Sequence, residues 1–361
     1  MEKFAFIVHP LEARPDLARK YPFVRYLPES VIEWGFKYKA PMMVSHITGV
    51  KSLTGAEAEG WFIGCPLTAR QMMALPVELV LEKIIQAART AQELGACIVG
   101  LGAFTSVVGD GGITIAKNVD IAVTTGNSYT IATGIEGALR AAAMMDIDLS
   151  KARAAVVGAA GSIGRTCAKI LARQVSEINL VDLGLEQLNK AAAEITAECN
   201  AIVRLHTDVR TGIADADIVV SSTSAVSAII HPADIKPGAV VCDIARPRDV
   251  STQVAKERDD VLVIEGGVVA VPGDVEFNFN FGFPPKTAYA CMSETMMLAL
   301  EGRYESFTLG KEVSVEQVEE ISALAKKHGF RLAGFRSFEK ALTDEQIKRT
   351  KDTAKRRIAI G

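Results

Sequence analysis

The sequence predicts an α/β protein that contains a Rossmann-type, doubly wound parallel sheet. Three observations support this fold class. Short β-branched runs alternate with helical segments through the middle third, a glycine-rich turn follows the first run, and an aspartate ends the second. Such alternation makes the strands parallel and covers both faces of the sheet with helices. We place this dinucleotide-binding domain at residues 150–275.

Each strand of this domain is predicted from a short apolar run bounded by Gly, Asp, Ser or Pro. Periodicity of this kind is typical of strands buried on both faces. The segments between them, such as 162–174 and 185–199, have helical patterns. The six predicted strands are Ala154–Val157, Ile178–Val181, Ala201–Leu205, Ile218–Val220, Ala239–Cys242 and Val261–Ile264.

The rest of the chain predicts a second α/β domain that would bind substrate. It is assigned residues 1–125 and 280–361, with 126–149 as a connecting helix. The N-terminal residues lack the features of a signal peptide. They are predicted to form the first strand instead. The other predicted elements are a helix at 77–94, a buried strand at 96–104, helices at 287–301 and 313–327, and a helix that opens at the capping box 343–346.

Composition excludes several classes of protein. The chain has 361 residues, of which 49% are hydrophobic and 23% charged, so it is expected to fold into two or three domains. A net charge of −3 gives no global basic field for nucleic acid. No apolar run reaches the ~18 residues of a membrane span, and we expect a cytoplasmic protein. The basic tail 344–361 is compatible with peripheral membrane contact, but a solvated helical face is the commoner case.

The six cysteines do not indicate a metal site or a disulfide scaffold. No two form a Cys-x-x-Cys pair, and none has a histidine at zinc-finger spacing. The sequence therefore predicts no metal. The default for each cysteine is a small buried apolar residue, and Cys291 has the strongest claim to a different role.

The glycine-rich turn predicts a dinucleotide site. It follows the strand that ends at Val157 and opens a helix, so peptide N–H groups and the helix N-terminus can face a pyrophosphate. A plain turn without a ligand is the alternative. The residues predicted to contact the cofactor are Gly158, Ala159, Gly161, Ser162, Ile163 and Gly164.

Asp182 ends the next strand, where a carboxylate would hold the adenosine ribose hydroxyls. It would repel a 2′-phosphate, and residues 183–185 offer no arginine to bind one. The cofactor is therefore NAD(P)H, with NADH favoured. Ser222 and Thr223, with Gly266 and Gly267, follow later strands and would lie near the nicotinamide. A simple strand-end turn explains each of these pairs equally well.

Cys291 follows Pro284 and Pro285, which predict a helix start just before it. A helix N-terminus and the nearby Lys286 would both favour the thiolate, whereas Glu294 would oppose it. Residues 291, 294, 295 and 298 share one helix face that suits a cleft. On spacing alone, a buried structural cysteine is the commoner case.

Taken together in order and spacing, residues 4–335 resemble the long-chain fatty acyl-(acyl-carrier-protein) reductases of cyanobacteria. The resemblance implies that Cys291 takes the acyl group as a thioester and that a nicotinamide cofactor reduces it to an aldehyde. It also implies a fatty acyl thioester substrate, on acyl-carrier protein or coenzyme A. The matching stretches are Phe6–His9, Gly102–Ser106, Thr124–Ser128, Val156–Gly164, Gly266–Val269, Tyr289–Glu294 and Lys327–Phe330.

Under this resemblance, His9 and Glu294 are the candidate acids, although His9 is equally a strand-end histidine. Segments 61–75 and 96–108 would line an acyl tunnel, or simply form core. Two departures stand out: that family is typically NADPH-using, with an arginine after its second strand where this chain has Asp182, and the tail past about residue 338 is extra.

Two alternatives remain open from the sequence. The dinucleotide domain is also similar to those of glutamyl-tRNA reductases and shikimate dehydrogenases, through stretches such as Val220–Ser224 and Asp243–Asp249. The chain could thus be a hydroxy- or keto-group dehydrogenase with an inert Cys291, or a nucleotide-binding regulator without turnover. The Cys-Asn-Arg-Thr-Glu-like nucleophile stretch of glutamyl-tRNA reductases is absent, as is the N-terminal Asn-Lys pattern of shikimate dehydrogenases.

Overall fold

The computed structural model describes residues 1–10 and 12–360. The chain divides into two compact units, each made of three segments. The first unit comprises Met1–Tyr129, Val269–Glu312 and Glu320–Arg331, and the second comprises Thr130–Val268, Val313–Glu319 and Leu332–Gly361.

The strands in chain order are β1 (Glu2–Val8), β2 (Met42–Lys51), β3 (Glu57–Gly64), β4 (Ile98–Gly100), β5 (Ala122–Thr124), β6 (Arg153–Val157), β7 (Glu177–Val181), β8 (Ile202–His206), β9 (Ile218–Ser221), β10 (Val240–Asp243), β11 (Leu262–Glu265), β12 (Val268–Ala270), β13 (Gly273–Glu276), β14 (Thr287–Tyr289), β15 (Arg331–Leu332), β16 (Arg336–Ser337) and β17 (Lys340–Ala341).

The α-helices are α1 (Ala13–Lys20), α2 (Glu29–Tyr38), α3 (Ala69–Ala74), α4 (Val77–Glu93), α5 (Phe104–Val107), α6 (Ile113–Ala116), α7 (Asn127–Met144), α8 (Ser162–Ala172), α9 (Leu185–Glu198), α10 (Val209–Ile213), α11 (Thr252–Glu257), α12 (Ala290–Leu300), α13 (Val315–His328) and α14 (Asp344–Ile360). Short 3₁₀ helices lie at Pro22–Tyr26 and Pro232–Asp234. Within the described residues, no helix combines the length and apolar character needed to cross a membrane.

The second unit contains a six-stranded sheet in the order β11-β10-β9-β6-β7-β8, in which every neighbouring pair is parallel. Counted from β6, this is the 3-2-1-4-5-6 order of a doubly wound dinucleotide-binding sheet. One apolar core lies between this sheet and the helices α7, α8 and α9, and a second core contains side chains of α10 and α11. The predicted fold class and all six predicted strands are confirmed.

The first unit has a mixed six-stranded sheet in the order β13-β2-β3-β1-β4-β5. The pairs from β3 to β5 are parallel, and β2 pairs antiparallel with both β3 and β13. Helix α4 packs its apolar face, which includes Val80 and Ile84, on this sheet. This unit is therefore also α/β, as the sequence predicts.

The structure divides the chain differently from the predicted domains at several places. Residues 269–275 belong to the first unit and 313–319 to the second, the reverse of the predicted assignment. Residues 332–361 belong to the second unit, although the sequence placed them with the substrate domain. Ile347 and Ala354 of α14 are buried in the same core as the parallel sheet, which explains the assignment. Ile131 and Ile135 of α7 enter that core too, so most of the predicted connecting helix is an integral part of the second unit.

The basic tail is held by ion pairs as well as by its apolar side chains. Lys351 and Lys355 both bind Asp146, at 2.7 and 2.8 Å, and Arg357 binds Asp259 at 2.6 Å. About half of its cations thus neutralise acids of the same unit, which weakens the sequence-based argument for membrane contact at the tail.

Candidate functional site

The helix that carries Cys291, α12, is buried nearly all round. It packs against β1 and β4, and Cys291 is its only half-buried residue. Glu294 and Thr295 are fully buried. The prediction of an open polar face on this helix is therefore wrong, because its polar side chains are satisfied inside the unit. Strand β14 occupies residues 287–289, so the helix starts at Ala290 and places Cys291 in its first turn.

Two glycines lie next to Cys291, and one of them, Gly126, approaches it too closely for any side chain. A Cβ atom added at Gly126 would lie 2.2 Å from the Cβ of Cys291, and one at Gly102 would lie 3.6 Å from its Sγ. Gly126 also has a φ of +75°, which favours glycine. Any side chain at Gly126 would thus collide with Cys291. The cysteine is held between two chain segments that are far apart in sequence.

The turn after Gly102 is tight and strained. Thr105 N donates to Gly102 O at 3.1 Å, and the Thr105 hydroxyl accepts from Gly102 N at 2.9 Å. Between them, Ala103 has φ 49° and ψ −128°, a conformation that residues with a side chain seldom adopt. Strain of this kind costs about 1–3 kcal/mol and is concentrated at functional sites.

His9 lies beside this turn as a neutral ring. Its Nε2 accepts from Phe104 N at 3.3 Å, because a peptide N–H can only donate. The proton is therefore on Nδ1, which donates to Pro10 O at 3.1 Å. Burial lowers the pKa of His9, although the Pro10 hydrogen bond opposes the shift. This geometry suits a histidine that fixes the turn better than the proton donor suggested by the sequence.

Glu294 lies one helical turn after Cys291 and has four hydrogen-bond donors. Its Oε1 accepts from Thr124 Oγ1 at 2.5 Å and from Thr308 Oγ1 at 3.2 Å, while Oε2 accepts from Ser128 Oγ at 2.6 Å and Tyr129 N at 2.9 Å. Burial raises the pKa of Glu294, and the hydrogen bonds oppose that shift. Because three of these partners flank Gly126, the carboxyl group fastens that glycine segment to the helix of Cys291.

Lys286 does not act on the thiol as the sequence suggested. Its Nζ lies 2.7 Å from Asp274, and this contact raises the pKa of Lys286. The cation is therefore compensated by a neighbouring carboxylate.

A series of aromatic rings, which sequence reasoning missed, leads to the start of α12. Phe281 contacts Phe277 and Phe283, with ring centroids 5.2 and 5.5 Å apart, and Phe283 contacts Tyr289 at 4.3 Å. Phe62 of β3 packs against Phe281 at 5.6 Å. The alternation Phe-Asn-Phe-Asn-Phe-Gly-Phe over 277–283 was the sequence signal that could have indicated this series.

The segments predicted to line an acyl tunnel, 61–75 and 96–108, instead contribute many side chains to the core around α4.

The glycine-rich turn of the second unit lies between β6 and α8. Gly158 has φ +85°, and a Cβ there would lie 2.8 Å from Ser222 O. A Cβ at Gly164 would lie 2.1 Å from Gly158 O, whereas one at Gly161 would meet only Gly158 O, at 3.3 Å. The first and third glycines are therefore required by the fold, whereas a side chain at the second would make one tight contact with a backbone oxygen, much milder than the clashes at the other two. Ala159 is buried beneath the turn, and Ser162 and Ile163 begin α8.

The polar groups around this turn fit a dinucleotide. Asp182 Oδ2 accepts from Ala160 N at 3.1 Å, so the carboxylate stands beside the turn. The hydroxyl oxygens of Ser162 and Ser222 are buried without a hydrogen-bond partner. Buried polar atoms normally have partners, and at a glycine-rich turn a phosphate oxygen would supply one.

The loop after β9 is fixed by a residue that the sequence did not single out. Asp249 is fully buried and accepts from Ser221 Oγ at 2.6 Å, Thr223 N at 3.0 Å and Thr223 Oγ1 at 2.5 Å. It thereby sets the position of Ser222 and Thr223. Gly266 and Gly267 follow β11; a Cβ at Gly266 would lie 2.9 Å from Ile244 Cγ1, and Gly267 has φ +78°. Local packing therefore accounts for both glycines.

The predicted residues thus form two sets. Cys291, Glu294 and His9 lie in the first unit, around the segments of Gly102 and Gly126. All of the predicted cofactor residues lie in the second unit, at the ends of β6, β7, β9 and β11.

Comparison with known proteins finds similarity along most of the chain. Residues 140–265 match the family model described as Shikimate / quinate 5-dehydrogenase. Aminotransferase PigE from Serratia sp. is 30% identical over 358 residues, which are 96% of this chain but only 41% of that protein's length. A long-chain acyl-(acyl-carrier-protein) reductase from Synechococcus elongatus is 28% identical over 351 residues, covering 91% of this chain and 98% of the relative.

Among solved structures, L-tryptophan dehydrogenase from Nostoc punctiforme aligns with a TM-score of 0.38 and 13% identity, covering 99% of this chain and 89% of that one. The resemblance noted in the sequence therefore corresponds to a distant similarity that extends over most of the chain.

Proposed function

We propose that this protein reduces fatty acyl thioesters to aldehydes with a nicotinamide cofactor, through an acyl thioester on Cys291. The observation that carries the proposal is the position of Cys291: it lies in the first turn of α12, it is the one half-buried residue of an otherwise buried helix, and the backbone of Gly126 packs against its Cβ. The similarity to a long-chain acyl-(acyl-carrier-protein) reductase supports the same reaction.

In the first step, the Cys291 thiolate attacks the acyl carbonyl carbon, and a new C–S bond replaces the bond to the carrier thiol, which leaves with a proton. The nicotinamide, when bound, supplies a hydride to the acyl carbon. The hemithioacetal on Cys291 then breaks its C–S bond, releasing the aldehyde, and the sulfur is again available. Hydride plus one proton balances the two-electron reduction of acyl group to aldehyde.

Glu294 and His9 are positioning residues in this proposal. Glu294 holds the Gly126 segment against Cys291 through hydrogen bonds to Thr124 and Ser128. His9 accepts from Phe104 N and so keeps the strained turn at Ala103 in place. Both act on the geometry around the sulfur, which must lie within reach of the acyl carbon for attack.

The aromatic series from Phe277 to Tyr289 supplies an apolar wall for the acyl chain. Tyr289 is the residue immediately before α12, so the wall ends two residues from Cys291. Rings offer large apolar contact areas. Phe281→Ala is therefore expected to reduce kcat/KM for a sixteen-carbon acyl thioester by about tenfold while leaving a four-carbon one nearly unchanged. Phe281 is half-buried, and losing ~1.4 kcal/mol of apolar contact with the long chain corresponds to that factor.

The dinucleotide would be held by the turn of Gly158, Gly161 and Ser162, with Asp182 on the adenosine ribose. We propose that NADH is preferred, because the carboxylate of Asp182 would repel the 2′-phosphate of NADPH. An acyl-carrier protein is the proposed carrier of the substrate.

Acyl transfer in the absence of cofactor tests the covalent step. The protein is incubated with palmitoyl-coenzyme A and its intact mass is measured; one acyl group per chain is expected, and hydroxylamine should remove it. Cys291→Ser should form no adduct. Cys199→Ser is the matched control, because Cys199 is also half-buried and its Sγ donates to Ile195 O at 3.0 Å. An adduct that survives in Cys291→Ser, or no adduct on the unaltered protein, would overturn the proposal.

The match of residues 140–265 to a shikimate and quinate dehydrogenase model favours a second candidate, a hydroxy- or keto-group dehydrogenase in which Cys291 takes no part. That function predicts NAD(P)-dependent oxidation of a hydroxy acid at equal rates in unaltered protein and in Cys291→Ser.

A further inference from the structure

Helix α2 has apolar side chains on two opposite sides. Ile32 and Phe36 are buried and share a small core with Val24 and Ala13. On the other side, Trp34 is 64% exposed, and Val31 and Tyr38 are exposed with it. A surface helix normally turns polar residues outward. The outer stripe of α2 therefore does not serve the core of this unit.

The preceding 3₁₀ helix, Pro22–Tyr26, also exposes large apolar side chains. Phe23 and Tyr26 are exposed there, Tyr26 to 81%. We call the residues Phe23, Tyr26, Val31, Trp34 and Tyr38 the aromatic patch. The rings of Trp34 and Tyr38 contact each other at an interplanar angle of 60°, with centroids 5.3 Å apart. Several large apolar side chains exposed within one short segment are typical of an interaction surface.

Charge around the aromatic patch is segregated by sign. Between residues 21 and 43, the exposed charged side chains are Arg25, Lys37 and Lys39, all cations. The two acids in that interval, Glu29 and Glu33, are half-buried. The Glu33 carboxylate binds Arg70 and accepts from Thr68 Oγ1 at 3.0 Å. The exposed side chains of this segment are therefore apolar, aromatic, polar or cationic and include no acid, although the whole chain is net negative.

We propose that the aromatic patch docks this protein on an anionic lipid surface. Tyr and Trp rings, apolar with one polar tip, are favoured at the headgroup layer of a membrane. The three cations match anionic headgroups. A protein partner fits less well, because the centres of protein interfaces are depleted in lysine, and Lys37 lies beside Trp34 on the helix.

The chain has only two tryptophans, which allows a direct test. In Trp61→Phe, Trp34 is the sole tryptophan. Its emission should shift to the blue and be quenched by brominated lipid on vesicles of phosphatidylglycerol, with at least tenfold weaker binding to phosphatidylcholine vesicles. Trp34→Phe, which retains the Trp61 stacked on His46, should show neither change.

Two further variants test the contributions of charge and of the rings. Arg25→Gln combined with Lys37→Gln and Lys39→Gln should weaken partition into phosphatidylglycerol vesicles at least tenfold, because each cation contributes about a fivefold factor near an anionic surface. Trp34→Ser with Tyr38→Ser should weaken it by at least tenfold as well. Leu53→Ser, at an exposed leucine outside the patch, should leave partition unchanged.

The proposal is overturned if Trp34 emission is unaffected by either vesicle, or if the cation variant partitions like the unaltered protein. It is also overturned if sedimentation shows a dimer that Trp34→Ser abolishes while vesicles bind neither form, because the patch would then be an interface between two copies of this chain.

Discussion

The surroundings of Cys291 and the glycine-rich turn of the second unit both depend on glycines. They differ in which part of the chain occupies the space that a side chain would fill. At Gly126 the missing side chain makes room for Cys291, about 165 positions later in the sequence, and at Gly102 it makes room for the ring of Phe6. At Gly158 and Gly164 they make room for the turn itself and for the loop of Ser222. Gly161 differs from all four, since a Cβ there would meet only one protein atom, at 3.3 Å.

This difference separates a glycine required by the fold from one expected to face a ligand. Substitution of a glycine that the fold requires should lower both the melting temperature and the activity of its site. Substitution of Gly161 should mainly weaken cofactor binding. The two sites lie in different units, so a variant of one should also leave the partial reaction of the other intact.

The largest effect is expected from Cys291→Ser. Turnover of acyl thioester should fall at least 10³-fold, because a serine hydroxyl is a far weaker nucleophile at neutral pH than a thiolate. The dissociation constant for NAD(P)H, measured by fluorescence titration, should change less than twofold. A variant that retains more than a tenth of the original rate would contradict the covalent mechanism.

Gly161→Val should weaken NAD(P)H binding at least fiftyfold while the melting temperature changes little. The branched side chain would occupy the space where a pyrophosphate approaches the peptide N–H groups. Acyl transfer from palmitoyl-coenzyme A to Cys291 should remain.

Gly164→Ala is the contrasting variant. Its Cβ would lie 2.1 Å from Gly158 O, so it should lower both the melting temperature and cofactor affinity. Unchanged cofactor affinity in Gly161→Val would show that this turn does not bind the pyrophosphate.

The two sites also differ in how far the sequence predicts them. The turn from Gly158 to Gly164 and Asp182 lie within 25 residues of each other, and their pattern is local. The six parallel strands were predictable for the same reason. The environment of Cys291 was not, because Glu294 reaches Thr124, which lies 170 residues earlier. Spacing along α12 shows which of its residues share a face. It does not show that the hydrogen-bond partners of that face lie in a segment distant in sequence.

Other errors have similar physical causes. The sequence suggested a cation effect of Lys286 on Cys291, but tertiary packing pairs that lysine with Asp274. The tail was assigned by its order in the chain, whereas Ile347 and Ala354 bury it in the second unit. The aromatic alternation over 277–283 was visible, yet only the contacts with Phe62 and Tyr289 connect it to the cysteine helix.

Glu294 should make the stability of the protein depend on pH in an identifiable direction. Burial raises its pKa in the folded state. Its contribution is therefore fully present below the unfolded pKa of about 4.3 and is lost as pH rises through the folded value. Relative to Glu294→Gln, which cannot ionise, the melting temperature of the unaltered protein should fall as pH rises from 4 to 8, by about 2–4 °C per kcal/mol lost.

Glu301 in the same unit supplies the matched control. Its hydrogen bond to Lys327 lowers the pKa of Glu301. This contribution is present above the unfolded pKa and is lost as pH falls through the folded value. Glu301→Gln should therefore change the melting profile at the acid end, with the opposite sign. A profile of Glu294→Gln parallel to the unaltered one would mean that Glu294 does not titrate differently in the folded protein.

The smallest effect is expected from Asp182, on the choice between the two cofactors. At an effective dielectric constant near 20, like charges ~4 Å apart interact by about 4 kcal/mol, before screening and side-chain movement. A quarter of that gives roughly a fivefold preference for NADH, since about 1.4 kcal/mol is a factor of ten. Of the two arginines that could bind a 2′-phosphate, Arg204 binds Glu177 at 2.5 Å, and Arg210, which is exposed, lies 3.8 Å from Asp234.

The ratio of kcat/KM for NADH to that for NADPH should therefore exceed one in the unaltered protein and fall about fivefold in Asp182→Ser. Glu186→Gln is the control, because Glu186 is a nearby exposed acid that binds Lys190 at 2.8 Å and should leave the ratio unchanged. If NADPH leads in the unaltered protein, Asp182 does not select the cofactor. The acyl-transfer role of Cys291 would survive that result, because it rests on contacts in the other unit.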